Sequence, residues 1–185
     1  MVYKRRSKIL DYTHVSKMSD REFEGFLKTN PPLSRNFRLD EFTRSQTASR
    51  HGIDNTPTKE AFLNLVFLCK HVLQPIRTYY GRPVSISSGY RCLEVNEIIG
   101  GSEKSQHMFG KAVDFEIMGL DNYAVALKIS KIGIVFDQLI LEHHNPRHPQ
   151  SGWVHISYDR DKIAQRRQLL TIDNEHGTRG GLHYD

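Results

Sequence analysis

The chain of 185 residues has the length of one ordinary domain, and its composition, 38% hydrophobic and 25% charged, is close to that of globular proteins. No apolar run approaches the roughly twenty residues that a membrane-spanning helix needs, so we expect no membrane span. The formal net charge is +5. This surplus favours an anionic partner, such as nucleic acid, a membrane surface or a bacterial wall polymer, but it is too small to choose among them.

The N-terminal segment is basic. It begins MVYKRRSKIL, and the apolar segment and cleavage site of a signal peptide do not follow it. We therefore expect no signal peptide and a protein that is made in the cytoplasm. Residues 1–35 are interpreted as an N-terminal arm or extension, because the segment ends at Pro31-Pro32, where a helix cannot continue.

A long helix is predicted over residues 58–80, where apolar side chains recur at intervals of three and four. Pro75 should kink this helix and Gly81 should end it. Cys69 lies within the helix and Cys92 follows a later turn, without CxxC spacing. Both are interpreted as reduced, structural cysteines.

Strands are predicted in the second half of the chain. The segment RPVSISSGY is typical of a short strand, and CLEVNEIIGG of a brief helix. Residues 111–117 alternate in period two, which predicts a half-buried strand with Asp114 on the face opposite Phe115. Asp121 is expected to cap a helix that runs to about Ile132.

Two further strands are predicted over residues 136–142 and 153–158, joined by a loop rich in His and Pro. Helices grouped ahead of antiparallel strands predict an α+β domain over residues 36–172, with helices packed on a small, mainly antiparallel sheet. The end of the chain, residues 173–185, is polar and Gly-rich and is expected to be mobile.

Three polar residues on these elements could hold a metal ion. His107 and Asp114 lie in SQHMFGKAVDFEI, and His155 lies in WVHISY. Two imidazoles and a carboxylate suit a catalytic zinc ion, which takes three protein ligands and keeps a fourth position for water. Spacing alone leaves the question open, because a single His near a strand is more often hydrogen-bonded or exposed.

The loop before Trp153 contains rival metal ligands. They are His143, His144 and His148. Two prolines in this loop are typical of an ordinary surface connection, which favours a role other than metal binding for the three histidines.

Four ordered motifs resemble those of the M15 family of zinc peptidases, the D-alanyl-D-alanine carboxypeptidases and related phage and bacterial murein endopeptidases. The motifs are SSGYR (87–91), SxHxxGxAxD (105–114), FDQLILE (136–142) and WVHIS (153–157). The resemblance covers residues 37–171 and is strongest for the small, single-domain members found in phage and prophage genomes. It implies the fold shared with the zinc-bearing signalling domain of Hedgehog proteins.

The resemblance implies one zinc ion with His107, Asp114 and His155 as its ligands. It also implies a general base. In many M15 enzymes this base is a Glu about three residues before the last His ligand. Here that space holds Ser151, Gly152 and Trp153.

Glu142, at the end of FDQLILE, is the expected substitute, because Hedgehog-type domains likewise place a Glu at the end of the preceding strand. The alternative is that Glu142 orients a ligand or pairs with Arg147. Arg91 is expected to bind a substrate carboxylate or a developing oxyanion, since a guanidinium can hold two oxygens at once, unless it is structural. Ser105 and Trp153 are expected to contact the substrate, although Ser105 could instead fix the loop of the first His ligand.

The resulting hypothesis is zinc-dependent hydrolysis of a peptide bond in peptidoglycan stem peptides or cross-links, by a D,D-carboxypeptidase or an endopeptidase with a role in phage lysis. The protein is then expected to act on the cell wall after release or as a phage component. The alternative is a catalytically inactive zinc fold that binds the wall or builds a virion. Nucleic-acid binding through the basic residues 4–6 and 166–167 is a weaker alternative, and we expect no nucleic-acid partner because no aromatic residues are interleaved with those charges. Asp137 and Gln138 are expected to have supporting roles.

Overall fold

The structure is a computed structural model that describes residues 10–185. The basic residues Lys4, Arg5 and Arg6 lie outside the described residues. No helix in this part of the chain combines the length and the hydrophobicity of a membrane span. Helices and strands both contribute to the domain, which confirms the predicted α+β class.

Short helices precede and interleave with the strands. The α-helices are α1 (Asp20–Lys28), α2 (Asp40–Thr43), α3 (Gln46–His51), α4 (Lys59–Leu68), α5 (Gln74–Tyr80), α6 (Leu93–Ile98) and α7 (Asn122–Ile129). The strands are β1 (Val84–Ser88), β2 (Ala112–Ile117), β3 (Gln138–Glu142), β4 (Trp153–Ser157), β5 (Gln168–Asp173) and β6 (Gly177–Gly180). Two 3₁₀-helices cover Thr13–Lys17 and Gln106–Phe109.

The six strands form one sheet in the order β1-β2-β4-β3-β5-β6. All neighbours are antiparallel except β3 and β5, which are parallel. The central strands are β4 and β3, and the apolar residues Val113 and Phe115 of β2 and Val154 and Ile156 of β4 are fully buried in the core. The sheet is therefore mainly antiparallel, as predicted, and its centre carries residues from two of the four motifs.

The predicted long helix is continuous but not uniform. Between α4 and α5 the residues Cys69–Leu73 form a π-helical turn, one turn before Pro75. Proline has no N–H to donate to the preceding turn, and a π-helical turn is one way to accommodate that loss. Gly81 ends the helix with a left-handed φ of 62°. Both cysteines are free, and Cys69 is buried in this helix.

The described part of the N-terminal segment packs into the same core as the rest of the domain. Val15, Phe23 and Leu33 are buried. Phe23 and Phe26 meet the ring of Phe62 on α4 edge-on, with centroids 6.0 Å and 5.4 Å away. From residue 10 onward, the segment interpreted as an arm therefore covers one side of α4.

The C-terminal part of the chain contains two strands that the sequence analysis missed. Strand β5 pairs with β3, and β6 folds back on β5. Arg179 on β6 binds Asp173 and Asp185, each with an oxygen 2.6 Å away. The segment that was expected to be a mobile tail thus carries a strand and two ion pairs.

Two local predictions need correction. Strand β2 is not half-buried, since all of its residues but Glu116 are buried. The face that was expected to be exposed is the one that carries Asp114, and the histidines of the candidate site cover it. Helix α7 is capped by Asp121, whose Oδ1 accepts the N–H of Tyr123 at 2.8 Å, but it ends at Ile129 rather than near Ile132.

Candidate metal centre

The structure brings His107, Asp114 and His155 together. His107 Nε2 lies 3.2 Å from His155 Nδ1 and 3.3 Å from Asp114 Oδ1. His155 Nδ1 lies 2.8 Å from Asp114 Oδ1. All three side chains are buried, and in residues 10–185 they are the one group of three such residues whose ligand atoms converge, within 4.8 Å of one another.

The pairing of β2 with β4 positions two of these residues. Asp114 and His155 are directly opposite in the antiparallel register, so their side chains project from the same face of the sheet. His107 comes from the 3₁₀-helix just before β2. Gly110 ends that helix with a φ of +65°, and a Cβ there would lie 2.3 Å from the carbonyl oxygen of Ala61. Glycine is therefore needed for this loop to pass close to α4.

The backbone of the SSGYR motif orients His107. His107 Nδ1 lies 2.7 Å from the carbonyl oxygen of Gly89, so Nδ1 carries the hydrogen and donates it. This leaves the lone pair on Nε2, the nitrogen that faces Asp114 and His155. A Cβ on Gly89 would lie 2.4 Å from the carbonyl oxygen of Phe42. Sequence reasoning missed this role of Gly89, although the motif pointed to the residue.

The donor set and its spacing fit a zinc ion. Tetrahedral zinc with ligand distances of about 2.0–2.1 Å separates its ligand atoms by about 3.3–3.4 Å. The two separations from His107 Nε2, at 3.2 and 3.3 Å, agree with that value. The Asp114–His155 separation of 2.8 Å is that of a hydrogen bond. Only a small outward shift of one side chain would bring all three separations into agreement.

The electrostatics of the cluster favour a bound cation. Burial lowers the pKa of His107, against the opposing influence of Asp114, so the imidazole stays neutral near pH 7. Burial would raise the pKa of Asp114, but the two imidazoles outweigh it and hold the pKa below its usual range. The cluster therefore combines the carboxylate charge of Asp114 with a neutral imidazole on His107, and a metal site requires its ligands in these protonation states.

Glu142 lies at the edge of the cluster. Its Oε1 is 3.8 Å from His155 Nδ1, and its backbone pairs with Trp153 on β4. Burial raises the pKa of Glu142, and the charge of Asp114 raises it further. The alternative partner of Glu142, Arg147, is exposed and makes no ion pair in residues 10–185.

The position three residues before His155 cannot hold the Glu found in many M15 enzymes. Gly152 has a φ of +66°, and a Cβ there would lie 2.0 Å from the carbonyl oxygen of Glu142. Any side chain at residue 152 would collide with the backbone of β3. The close contact between β3 and the start of β4 therefore explains why this chain has a glycine, and not a Glu, three residues before His155.

A match to a family of known proteins agrees with this geometry. The sequence model of the family Peptidase M15 matches residues 35–157, about two thirds of the chain. The chain belongs to the M15 peptidase family. A comparison with curated protein sequences gives no match. The family match spans α2 to β4 and includes all three residues of the candidate centre, whereas β5 and β6 of this M15 peptidase lie beyond it.

Arg91 borders the centre of this M15 peptidase. Its guanidinium is partly buried, which lowers its pKa, while Asp114 and Glu142 act in the opposite direction. Within residues 10–185 its Nε is buried and has no hydrogen-bond partner. A cation in this position suits a substrate oxygen.

Ser105 and Trp153 each precede a histidine of the cluster by two residues. Ser105 precedes the 3₁₀-helix of His107, and its side chain makes no capping hydrogen bond to that helix. Trp153 begins β4, and its ring centroid is 5.2 Å from that of His143. The indole Nε1 of Trp153 is buried without a hydrogen-bond partner in the described part of the chain. The contacts of both residues with a substrate stay predictions.

The rival histidines do not join the cluster of His107, Asp114 and His155 in this M15 peptidase. His144 is buried, with Nε2 3.1 Å from Asp121 Oδ1 and its ring near Tyr184. His148 is exposed, and its backbone closes a turn with Asn145. These two histidines therefore stabilise the loop before β4 or face solvent.

A second buried carboxylate lies beside the ligand loop. Asp137 is fully buried and is bound by the side chains of Arg166, Lys162 and Gln106. Burial would raise the pKa of Asp137, but the contacts with Arg166 and Gln106 hold it well below its usual range. Because Gln106 precedes His107, this cluster fixes the start of the ligand loop.

The basic residues after β4 are engaged within the fold. Arg166 binds Asp137, and the guanidinium carbon of Arg167 lies 5.5 Å from the centroid of the Phe136 ring. Both contacts tie the segment before β5 to the start of β3. The two arginines considered for nucleic-acid binding thus have partners inside the domain.

Proposed function

We propose that this M15 peptidase binds one zinc ion and hydrolyses a peptide bond in the stem peptides or cross-links of bacterial peptidoglycan. The observation that supports this most directly is the convergence of His107 Nε2, Asp114 Oδ1 and His155 Nδ1 within 4.8 Å, in a buried cluster. When bound, zinc lowers the pKa of a coordinated water toward about 7 and polarises the substrate carbonyl. Membership in the family supports the peptidase activity.

The three ligands would hold the ion with the correct charge. His107 and His155 offer neutral nitrogens, and Asp114 offers a carboxylate, so two positive charges meet one negative charge and the site remains electrophilic. The hydrogen bond from His107 Nδ1 to the Gly89 carbonyl keeps the ring from rotating. The chain thus holds its donors in place before any substrate arrives.

Glu142 is the proposed general base. Its Oε1 lies beside His155, on the strand next to β4, and would take the proton of the attacking water. The same oxygen would then carry that proton to the nitrogen of the leaving amine as the peptide C–N bond breaks. No covalent bond between the chain and the substrate is needed in this sequence.

Arg91 is the proposed substrate-binding cation, and Ser105 and Trp153 are proposed to contact the peptide around it. The Arg91 guanidinium would donate hydrogen bonds to the oxygen of the scissile carbonyl as negative charge develops there, or to a terminal carboxylate. The two roles correspond to an endopeptidase and to a carboxypeptidase. The net charge of +5 agrees with an anionic wall polymer as substrate.

The proposal is tested by mass spectrometry of purified peptidoglycan fragments after incubation with zinc-loaded protein. His107→Ala removes one ligand, and His148→Ala is the matched control, because it removes an exposed histidine outside the cluster. We expect cleavage with the unchanged protein and with His148→Ala, and none with His107→Ala. The masses of the products identify the bond.

Two results would contradict the proposal. Cleavage that persists in His107→Ala would show that the cluster is not the active centre. No mass change across several wall chemistries, with stoichiometric zinc confirmed by elemental analysis, would instead favour a wall-binding or virion structural protein.

A further inference from the structure

A groove beside the edge strand of the sheet shares Arg91 with the surroundings of the metal centre. It has a volume of about 780 Å³ and is lined by residues of α3, α6 and β1. Ile86 and Ser87 of β1 line it together with Arg91. The groove is continuous in sequence with the site, because Gly89, whose carbonyl binds His107, and Arg91 follow β1 directly.

The charge of this groove is positive. Three of its lining residues are arginines, Arg44, Arg50 and Arg91, and one is acidic, Glu41. Arg44 and Arg50 are exposed and bind only neutral oxygens, the carbonyl of Asp40 at 3.2 Å and the side chain of Gln46 at 3.3 Å. Neither makes an ion pair with a carboxylate in residues 10–185. Both guanidiniums therefore retain donors for an external anion.

The wall opposite these arginines is an open strand edge. Strand β1 is the last strand of the sheet and pairs only with β2. Its register shifts between Ile86 and Ser88, which places Ser87 in a bulge. Outside the sheet, no hydrogen bond among the described residues uses the backbone of β1. The groove thus offers uncharged hydrogen-bonding groups on one side and cations on the other, a combination suited to a chain with both amides and carboxylates.

We propose that this groove binds the acidic part of the peptide substrate, with Arg44 and Arg50 holding carboxylates that lie beyond the bond to be cut. This inference rests on the proposed function, since it treats the metal centre as the place of cleavage. It makes Arg44 and Arg50 specificity-determining residues. A peptide with free carboxylates is then preferred over the same peptide with carboxamides.

A peptide fits the groove better than a nucleic acid does. Glu41 lies among the arginines and would repel a continuous row of phosphates. The one aromatic residue of the lining, Tyr90, is 6% exposed and presents no free face on which a base could stack. The carboxylates of a peptide are separated and can lie on either side of Glu41, whereas the closely spaced phosphates of a nucleic acid would have to pass beside its negative charge.

The test compares two synthetic stem peptides that differ in one group. The first is L-Ala-γ-D-Glu-L-Lys-D-Ala-D-Ala, and the second carries a carboxamide in place of the α-carboxylate of D-Glu. Binding of each labelled peptide is measured by fluorescence anisotropy in the metal-free protein, and kcat/KM in the zinc-loaded protein. The variants are Arg44→Gln, Arg50→Gln and their double variant. Arg21→Gln is the matched control, because Arg21 is exposed on α1, away from the groove.

We expect the unchanged protein and Arg21→Gln to prefer the carboxylate peptide. Each groove variant should reduce that preference about threefold, and the double variant about tenfold, because exposed charge pairs contribute modestly and nearly additively. The carboxamide peptide should respond little to any variant. This difference between the peptides distinguishes loss of a charge contact from general damage to the fold, because damage to the fold would weaken the binding of both peptides equally.

Failure of this inference is distinguishable from failure of the proposed function. Cleavage of both peptides with equal preference in all variants would overturn the role of the arginines and leave the peptidase standing. Preferential carboxylate binding without cleavage would support the groove and count against the peptidase. Displacement of the bound peptide by a single-stranded oligonucleotide at equal concentration would overturn the assignment to an acidic peptide.

Discussion

Asp114 and Asp137 are both buried carboxylates with lowered pKa values, yet their surroundings differ. Asp114 is 8% exposed and lies between two imidazoles, whereas Asp137 is 0% exposed and lies among Arg166, Lys162 and Gln106. The charge of Asp137 is already neutralised by protein cations, while that of Asp114 is not. The partners of a buried carboxylate therefore decide whether it stabilises the fold or is free to bind an external cation.

The two clusters are also connected. Gln106 binds Asp137 at 3.0 Å, and the next residue along the chain is His107. The cluster around Asp137 therefore anchors the loop that brings His107 to the cluster around Asp114. A substitution in the cluster around Asp114 should mainly reduce activity, and one in the cluster around Asp137 should mainly reduce stability.

The largest expected effect is that of Asp114→Asn. The variant should lose zinc affinity by more than about a hundredfold and should abolish turnover, because even changes to residues that support ligands cost up to that much. The free energy of unfolding of the metal-free protein should fall by about 1 kcal/mol, because Asn loses the charge but keeps an oxygen that can accept a hydrogen bond from His155 Nδ1. Isothermal titration with zinc and urea denaturation measure the two quantities. Tight zinc binding by this variant would remove Asp114 from the ligand set.

The next effect is that of Glu142→Gln. Loss of a general base should lower kcat by about 10²–10⁴-fold, while zinc content stays stoichiometric because Glu142 is not a ligand. Glu116→Gln is the matched control, a strand carboxylate two residues beyond Asp114 on the same face of β2. Peptide hydrolysis and elemental analysis measure the outcome. Unchanged turnover in metal-replete Glu142→Gln would exclude the residue as the base.

Asp137→Asn should show the opposite pattern. Removing a buried charge from two half-exposed cations should lower the free energy of unfolding by about 2–3 kcal/mol, less than for a fully buried pair. Zinc affinity should fall by at most about tenfold, through the loosened loop of His107. Urea denaturation of the metal-free proteins gives the first value, and titration with zinc the second. If Asp137→Asn kept its stability but lost zinc binding, Asp137 would serve the metal centre and not the stability of the fold.

The smallest effect is the pH dependence of that stability difference. Because the pKa of Asp137 is lowered on folding, its ionised form stabilises the protein fully above the unfolded pKa of about 3.9. The contribution is lost as the pH falls from that value through the lower pKa of the folded state. The gap between unchanged protein and Asp137→Asn should therefore narrow below about pH 4 in denaturation curves. If the difference in free energy of unfolding stays constant from pH 7 to pH 3, the cluster is stabilised by packing and neutral hydrogen bonds and not by the charge of Asp137.

The sequence predicted the candidate centre well because its ligands lie within compact motifs. The spacing of His107, Asp114 and His155 raised the hypothesis of a metal site but left it open, and the resemblance to the M15 family selected these three residues. The backbone roles of Gly89 and Gly152 were not predictable. Both depend on close contacts with segments distant in sequence, Phe42 and Glu142, which no local pattern encodes.

The fold was less predictable at its two ends. Strand β5 pairs in parallel with β3 and has only a weak apolar alternation, and β6 (Gly177–Gly180) has no apolar residue. Their formation depends on the neighbours in the sheet rather than on propensity. The packing of Phe23 and Phe26 on Phe62 was likewise hidden, because a contact between rings some forty residues apart leaves no periodic signal.

The close approach of Gly152 to β3 affects how the centre could be transplanted. The last ligand lies on β4 and the proposed base on β3, and the contact at Gly152 excludes the arrangement in which one short segment carries both. A graft of WVHIS alone into another sheet would therefore supply one of the three metal-binding side chains and no base. The smallest portable unit of this chemistry is three neighbouring strands, β2, β4 and β3, together with the loop that carries His107.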